Sequence, residues 1–226
     1  MASVPALVAL ADPPPRYVDG AAMDYFVIEM VNTLRASTAV ATARAKKVEQ
    51  EMIDAGLLPA PAPVPPPLKK DKMRDSLGSN ASRTSVGPEG GDEEELRARL
   101  EAIGMHVGAN MAERLCHDRG LFTDTLDAIK FICKDLWNVC WEKQVDNLRT
   151  NHRGVYVLQD NAFKPLTHIS GWEGRADALR KAKVYVAMPG GILRGALARL
   201  GFQAVVVPEV TNLPQCTFQV KLPKGS

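Results

Sequence analysis

Four cysteines, four histidines, a glycine-rich run and a small basic cluster are the residues of this chain whose types could do chemistry, and in each case the spacing argues for structure instead. Cys116, Cys133, Cys140 and Cys216 form no CxxC pair, and His106, His117, His152 and His168 show no zinc-finger spacing, so four converging metal ligands are not expected. Cys133 and Cys140 lie on one face of a helix and read as small buried hydrophobes with reduced thiols. The run Pro189-Gly190-Gly191-Ile192-Leu193-Arg194-Gly195 offers the outline of a phosphate cradle. It lacks the preceding strand and the GxxxxGK[ST] pattern such a cradle needs, so Gly191 and Gly195 are read as a helix face packed closely on sheet or helix. The carboxylates Asp124 with Asp127, and Asp135 with Glu142, fall on a helix whose solvated side ordinarily carries such charges. Arg149, His152 and Arg153 read as the last turn of a helix, where cations complement the carbonyl end of the dipole. No catalytic residue, cofactor or metal is expected.

The elements that position these residues follow from composition and period. At 226 residues and 46% hydrophobic content the chain can bury one substantial core or two small ones. Lys and Arg total 28 against 26 for Asp and Glu, so no global field favours nucleic acid or an anionic bilayer. The apolar patch at residues 4–11 is too short for a membrane span and lacks the basic start of a signal peptide, which reads as a soluble, cytosol-facing protein.

Residues 25–55 hold helix formers without Pro or Gly, and Val27, Met30 or Val31, and Leu34 recur at helical spacing, predicting a first helix that Gly56 stops. Its second half, 36–45, is rich in Ala, Thr and Ser and is expected to bury less. From 57 to 91 a series of prolines (Pro59, Pro61, Pro63, Pro65, Pro66, Pro67) leads into a polar segment, expected to be a disordered insertion between two helices. Ser82, Thr84 and Ser85 beside Arg83 fit either a phosphorylation site or a solvated tether. Asp92 and Glu95 suggest a capping box opening a second helix, in which Leu96, Leu100, Ile103, Val107, Met111 and Leu115 form an apolar stripe. Gly104, Gly108 and Ala112 form another stripe that admits a neighbouring backbone, and spacing leaves open whether that neighbour belongs to this chain or to a partner.

A third helix is expected from Thr123 to Gly154, with Leu126, Ile129, Cys133, Leu136, Trp137 and Cys140 inward. Residues 155–159 and 163–169 then read as a hairpin about Asp160-Asn161, with Pro165 at an edge or bulge. A fourth helix near Ala176 must bend or restart at Pro189, turns Ile192, Leu193, Ala196, Leu197 and Leu200 inward, and stops at Gly201. Strands at 202–207 and 216–222 complete an α+β chain of four helices and four strands, arranged as a tail at 1–22 and a single domain at 23–223.

Taken together, residues 131–137, 145–161 and 191–197 closely resemble a small subunit of the transport protein particle (TRAPP) tethering complex, of the subunit-six type. The resemblance spans roughly 92–223 and, more weakly, the helix near Tyr25. It implies a plait with four helices on one side of a twisted four-stranded antiparallel sheet, and a non-catalytic scaffold. It further implies pairing through the first two helices with the central, palmitoylated-type small subunit. The implied assembly tethers vesicles in ER-to-Golgi and Golgi traffic and exchanges nucleotide on a Rab GTPase at a site built mainly by other subunits. Such a protein is expected to be cytoplasmic and peripheral to Golgi and ER-derived membranes, with no nucleic-acid partner. On this pairing mode the candidate contact residues are Phe26, Met30 and Leu34 of the first helix and Leu100, Ile103, Val107 and Met111 of the second. Some relatives of this fold hold an acyl chain between helices and sheet, which makes an apolar-ligand module the alternative, although neither Cys116 nor Cys133 matches the acylated position by motif. The chain departs from the family in its long proline-rich insertion, its N-terminal tail and Pro189.

Overall fold

The computed structural model describes residues 19–59, 88–122, 124–151, 154–169, 171 and 173–223. In chain order the elements are α1 (Gly20–Asp54), α2 (Pro88–Leu115), α3 (Thr125–Phe131), a π-helical turn (Ile132–Leu136), α4 (Trp137–Trp141), β1 (Asn147–Asn151), β2 (Val155–Asp160), α5 (Lys164–Thr167), α6 (Arg175–Tyr185), α7 (Ala187–Arg199), β3 (Val205–Asn212) and β4 (Gln215–Lys221). The strands form one antiparallel sheet in the order β1-β2-β4-β3. Cys216, Phe218 and Val220 alternate inward along β4 and, with Leu158 and Val210, present the apolar face that the helices cover.

The core centres on Trp137, Phe163 and Phe218, whose rings lie 5.4 to 5.9 Å apart between centroids. Around them pack Ile129, Ile132 and Leu136 from the α3–α4 segment and Ile192, Leu193, Ala196 and Leu197 from α7. A second, smaller core joins Val31 of α1 to Leu96 and Leu100 of α2 and to Val184 and Ala187 at the α6–α7 junction. The small, polar second half of α1 buries little, as its composition predicts: Thr38 is buried, whereas Val40, Val48 and Met52 are exposed. Gly56 (φ 71°) follows the end of α1, and Gly201 (φ 91°) lies just past α7, both in the left-handed conformation that glycine adopts without steric cost.

Several expectations fail. The third helix ends at Glu142, a non-glycine residue in the left-handed conformation (φ 56°) that carries none of the usual stop signals. Just before that end, the π turn leaves the Cys133 carbonyl free to accept from the Val145 N–H at 3.0 Å, which directs the chain away toward the sheet. Residues 147–151, expected in the helix, are therefore β1, which pairs Arg149 with Val157 and Asn151 with Val155. Gly154 (φ 75°) serves this hairpin and does not end a helix. Next, 163–169 is no strand: Phe163 and Leu166 are buried three residues apart, a helical spacing, and Pro165 occupies the first turn of α5, where its missing N–H costs nothing. Finally, α2 begins at Pro88, so Asp92 lies within the helix, and Glu95 bonds Arg99 at 2.5 Å where a capping box would turn it back. Likewise α1 begins at Gly20, inside the expected tail. Asp124 caps α3, accepting from the Leu126 N–H at 3.2 Å. Thr123, His152, Arg153, residues 1–18 and residues 60–87 of the insertion, with Ser82, Thr84 and Ser85, lie outside the described residues.

A polar clasp ties the α4–β1 loop to the end of β2. Lys143 Nζ donates to Asp160 at 2.6 Å and to Asp146 at 2.9 Å, and the Asn161 N–H donates to Asp146 at 2.7 Å. The Asn161 backbone bond, then Lys143, holds the Asp146 carboxyl below its ordinary value. Burial pulls Lys143 down, but its hydrogen bonds and the two negative charges outweigh that and raise it. The Asp146 contribution is therefore complete above the ordinary carboxylate value of about 4 and fades as pH falls through its lowered folded value. Lys143 contributes fully below about 10.4 and less as pH rises through its raised value. Thermal unfolding of the protein and of Asp146→Asn should show a gap in Tm at neutral pH that closes on acidification below about pH 4. A gap that persists unchanged through the acid range would refute the assignment.

Candidate functional site

The N-terminal half of α1 leaves Tyr25 and Phe26 on its outer side, 73% and 60% exposed. Met30 and Leu34 are half-buried against the smaller core. On α2, Leu100 is completely buried in that same core, so it fastens α1 to α2 and offers no surface to a partner. Ile103, Val107 and Met111 are half-buried, and Val107 and Met111 also pack on the main core. The seven expected contact residues thus divide between surface and interior, because one amphipathic stripe serves both.

Val107 and Met111 wall a groove of about 360 Å³ together with Val27 and Ile28 of α1, Val139 and Trp141 of α4, and Ile192 of α7. One rim is polar, carrying Glu142 in an ion pair with Lys164, and His168. The α4 residues escaped the sequence reading because Val139, which is 53% exposed, falls off the inward stripe of its helix.

The two glycine stripes meet each other. A Cβ on Gly104 would lie 2.1 Å from the Met188 carbonyl oxygen, and one on Gly108 2.0 Å from that of Ile192. Reciprocally, Gly191 would meet the Glu101 oxygen at 2.2 Å and Gly195 the Met105 oxygen at 2.0 Å. Residue numbers rise together along both helices, so α2 and α7 run parallel with their backbones in contact. The neighbour left open by spacing is therefore in the same chain, and the run at 189–195 is a buried helical face, not a loop around a phosphate. Arg194 with Glu101 at 2.6 Å and Arg199 with Glu113 at 2.8 Å bridge the same helix pair at the surface.

A family model for the transport protein particle (TRAPP) component matches residues 23–223. The chain belongs to the TRAPP component family. Within it the chain is of the subunit-six type. It is 46% identical over 126 residues to Homo sapiens trafficking protein particle complex subunit 6B, covering 56% of this chain and 78% of that protein. To Homo sapiens subunit 6A it is 45% identical over 126 residues, covering 56% and 77%. To Danio rerio subunit 6b it is 45% identical over 127 residues, covering 56% and 79%. Among solved structures, it is similar to trafficking protein particle complex subunit 3 from Naegleria fowleri covalently bound to palmitic acid, with a TM-score of 0.49 and 15% identity over 58% of this chain and 82% of that one.

In this TRAPP subunit all four thiols are free. Burial pushes Cys133 and Cys140 each up to about 12 and Cys216 further still, and it also raises Cys116, so at neutral pH the thiols are protonated. Cys133 and Cys216 pack in the main core, and Cys140 donates to the Met111 sulfur at 3.7 Å. Among the described residues no group of His, Cys, Asp and Glu is placed to hold a metal ion, and no helix is long and apolar enough to cross a membrane.

Proposed function

We propose that this TRAPP subunit is a non-catalytic scaffold that pairs, through α1 and its junction with α2, with the central small subunit of the complex. In the assembled complex it supports vesicle tethering and nucleotide exchange on a Rab GTPase in ER-to-Golgi and Golgi traffic, at cytoplasmic membrane surfaces. The observation that carries this reading is the exposed aromatic pair Tyr25 and Phe26 beside the apolar groove at Val107 and Met111. Adjacent exposed aromatics next to a concave apolar surface are the composition of an interface anchor, since aromatic side chains bring large contact area at low entropic cost.

Because Tyr25 and Phe26 are exposed, replacing them tests pairing without attacking the core. Tyr25→Asp combined with Phe26→Asp should reduce co-purification with co-expressed TRAPP small subunits by about thirtyfold, the loss of about 2 kcal/mol expected of an anchor. Its Tm alone should stay close to that of the unmodified chain. Undiminished recovery of the partner chains would exclude this face from the interface.

A further inference from the structure

We infer that residues 41–52 of α1 pair with the same residues of a second copy of this chain, as a short antiparallel helix pair. Along α1 one seam recurs at alternating steps of three and four: Val31, Leu34 and Thr38, then Ala41, Ala45, Val48 and Met52. That is the spacing of the core positions in a two-helix coil. Its first part is covered within the chain, Val31 by Leu96 and Leu100 of α2, and Thr38 is buried. The second part is bare, with residues 43–52 all exposed, Val48 at 46% and Met52 at 38%. The cause is where α2 begins. Val27 shares the groove with Val107 and Met111 whereas Val31 packs on Leu96 and Leu100, so α2 runs antiparallel to α1. Its first residue, Pro88, therefore lies beside the middle of α1, and α1 projects beyond it by roughly 18 Å at 1.5 Å per residue. This half of the helix gains nothing from packing within the chain, the source of most helical stability in proteins.

The seam itself identifies the occupant and its direction. A parallel second copy would drive its own residues 27–38 into the strip that α2 fills, whereas an antiparallel one enters from the open tip and continues the line of α2. In that orientation Ala41 faces Met52 of the other copy and Ala45 faces its Val48, because facing residue numbers keep a constant sum. Each small residue thus receives a large one, the interdigitation that close helix packing needs. The flanks agree. Arg44 comes to face Glu51 of the other copy, and twofold symmetry makes that contact twice. Among the described residues Arg44 has no ion pair, and Glu51 has Lys47 of its own helix at 3.8 Å, with both side chains largely exposed. An anionic membrane suits this face less well, since Arg44, Lys46 and Lys47 are matched by Glu49, Glu51 and Asp54.

A contact over so few turns is smaller than the standard interface of about 1,600 Å², so the pairing is weak, with a dissociation constant of roughly 10–100 µM. The test uses the full chain carrying Tyr25→Asp and Phe26→Asp, which removes any pairing through the face proposed above. Sedimentation velocity should show its weight-average mass rising with concentration across that range. Arg44→Glu sets a carboxylate against Glu51 of the other copy, and Glu51→Arg sets a guanidinium against Arg44. Each alone in that background should weaken self-association about tenfold or more. An equimolar mixture of the two variants should restore it to within about threefold, because both flanking contacts of the mixed pair again join opposite charges. Damage to the fold would not be repaired by mixing. A parallel pair would set Arg44 against Glu49 and would show no such recovery. A mass that stays monomeric across the concentration range, or a mixture that associates no better than its components, overturns the inference.

Discussion

Gly195→Ala, and separately Gly108→Ala on the facing helix, should each lower the free energy of unfolding by about 3 kcal/mol or more. Alanine is the better helix former by about 1 kcal/mol, so propensity alone gives the opposite sign. Geometry decides the outcome. The added methyl would sit 2.0 Å from a backbone carbonyl oxygen at either site, and backbone cannot step aside as a flexible side chain can. Relief requires α2 and α7 to separate, and α7 carries Ile192, Leu193, Ala196 and Leu197 of the main core with it. Gly91→Ala is the internal control. It lies in α2, where an added methyl group would meet nothing within 4 Å, and should leave stability unchanged or raise it by up to about 1 kcal/mol. Denaturant midpoints for the three variants provide the comparison, and similar small shifts at all three sites would refute the close helix contact. Since a domain of this kind is held by only about 5–15 kcal/mol, the two core variants should also accumulate poorly in cells.

Asp160→Ala should cost about 3 kcal/mol, in line with removal of one partner from a buried charged pair. Asp160 is 1% exposed, accepts from Trp137 Nε1 at 2.9 Å and from the Ala162 N–H at 3.1 Å, and holds Lys143 at 2.6 Å. Removal leaves the Trp137 indole N–H without an acceptor in the aromatic centre of the core and takes from the Lys143 ammonium its buried carboxylate, leaving it Asp146 alone at 2.9 Å. Asp160→Asn keeps an acceptor for Trp137 and should recover part of the loss, since only the charge is then missing. Equal losses for the two variants in equilibrium unfolding would show that the hydrogen bond to Trp137 contributes nothing.

Both predictions concern residues whose importance the sequence announces unevenly. The glycines at 104 and 108, and at 191 and 195, stand out by spacing, because glycine in mid-helix is costly and its repetition on one face needs a reason. Asp160 is different: it reads as a turn residue, and only the fold brings it beneath Trp137, 23 positions away. Of the expected contact residues, Leu100 shows the limit of periodicity most clearly. An apolar stripe records that one side of a helix avoids water and says nothing of which neighbour covers it, so an internal fastener and a surface anchor carry the same signature.

Local signals by themselves determined the long first and second helices, the restart near Pro189, the stop at Gly201, the inward residues of α7 and the α+β class, because each rests on helical period, proline or glycine within a few residues. Residues 131–137, 145–161 and 191–197 also carried the family, since resemblance needs the order of residues and not their contacts. Only the tertiary structure decided where the third helix ends, because its stop is a π turn and a left-handed Glu142, held by a bond from Val145 and a clasp to Asp160. It decided that the polar segment at 147–151 is a strand, whose conformation comes from pairing with β2. It also decided that the two glycine stripes face each other across α2 and α7, a meeting of residues far apart in the chain that no local preference encodes.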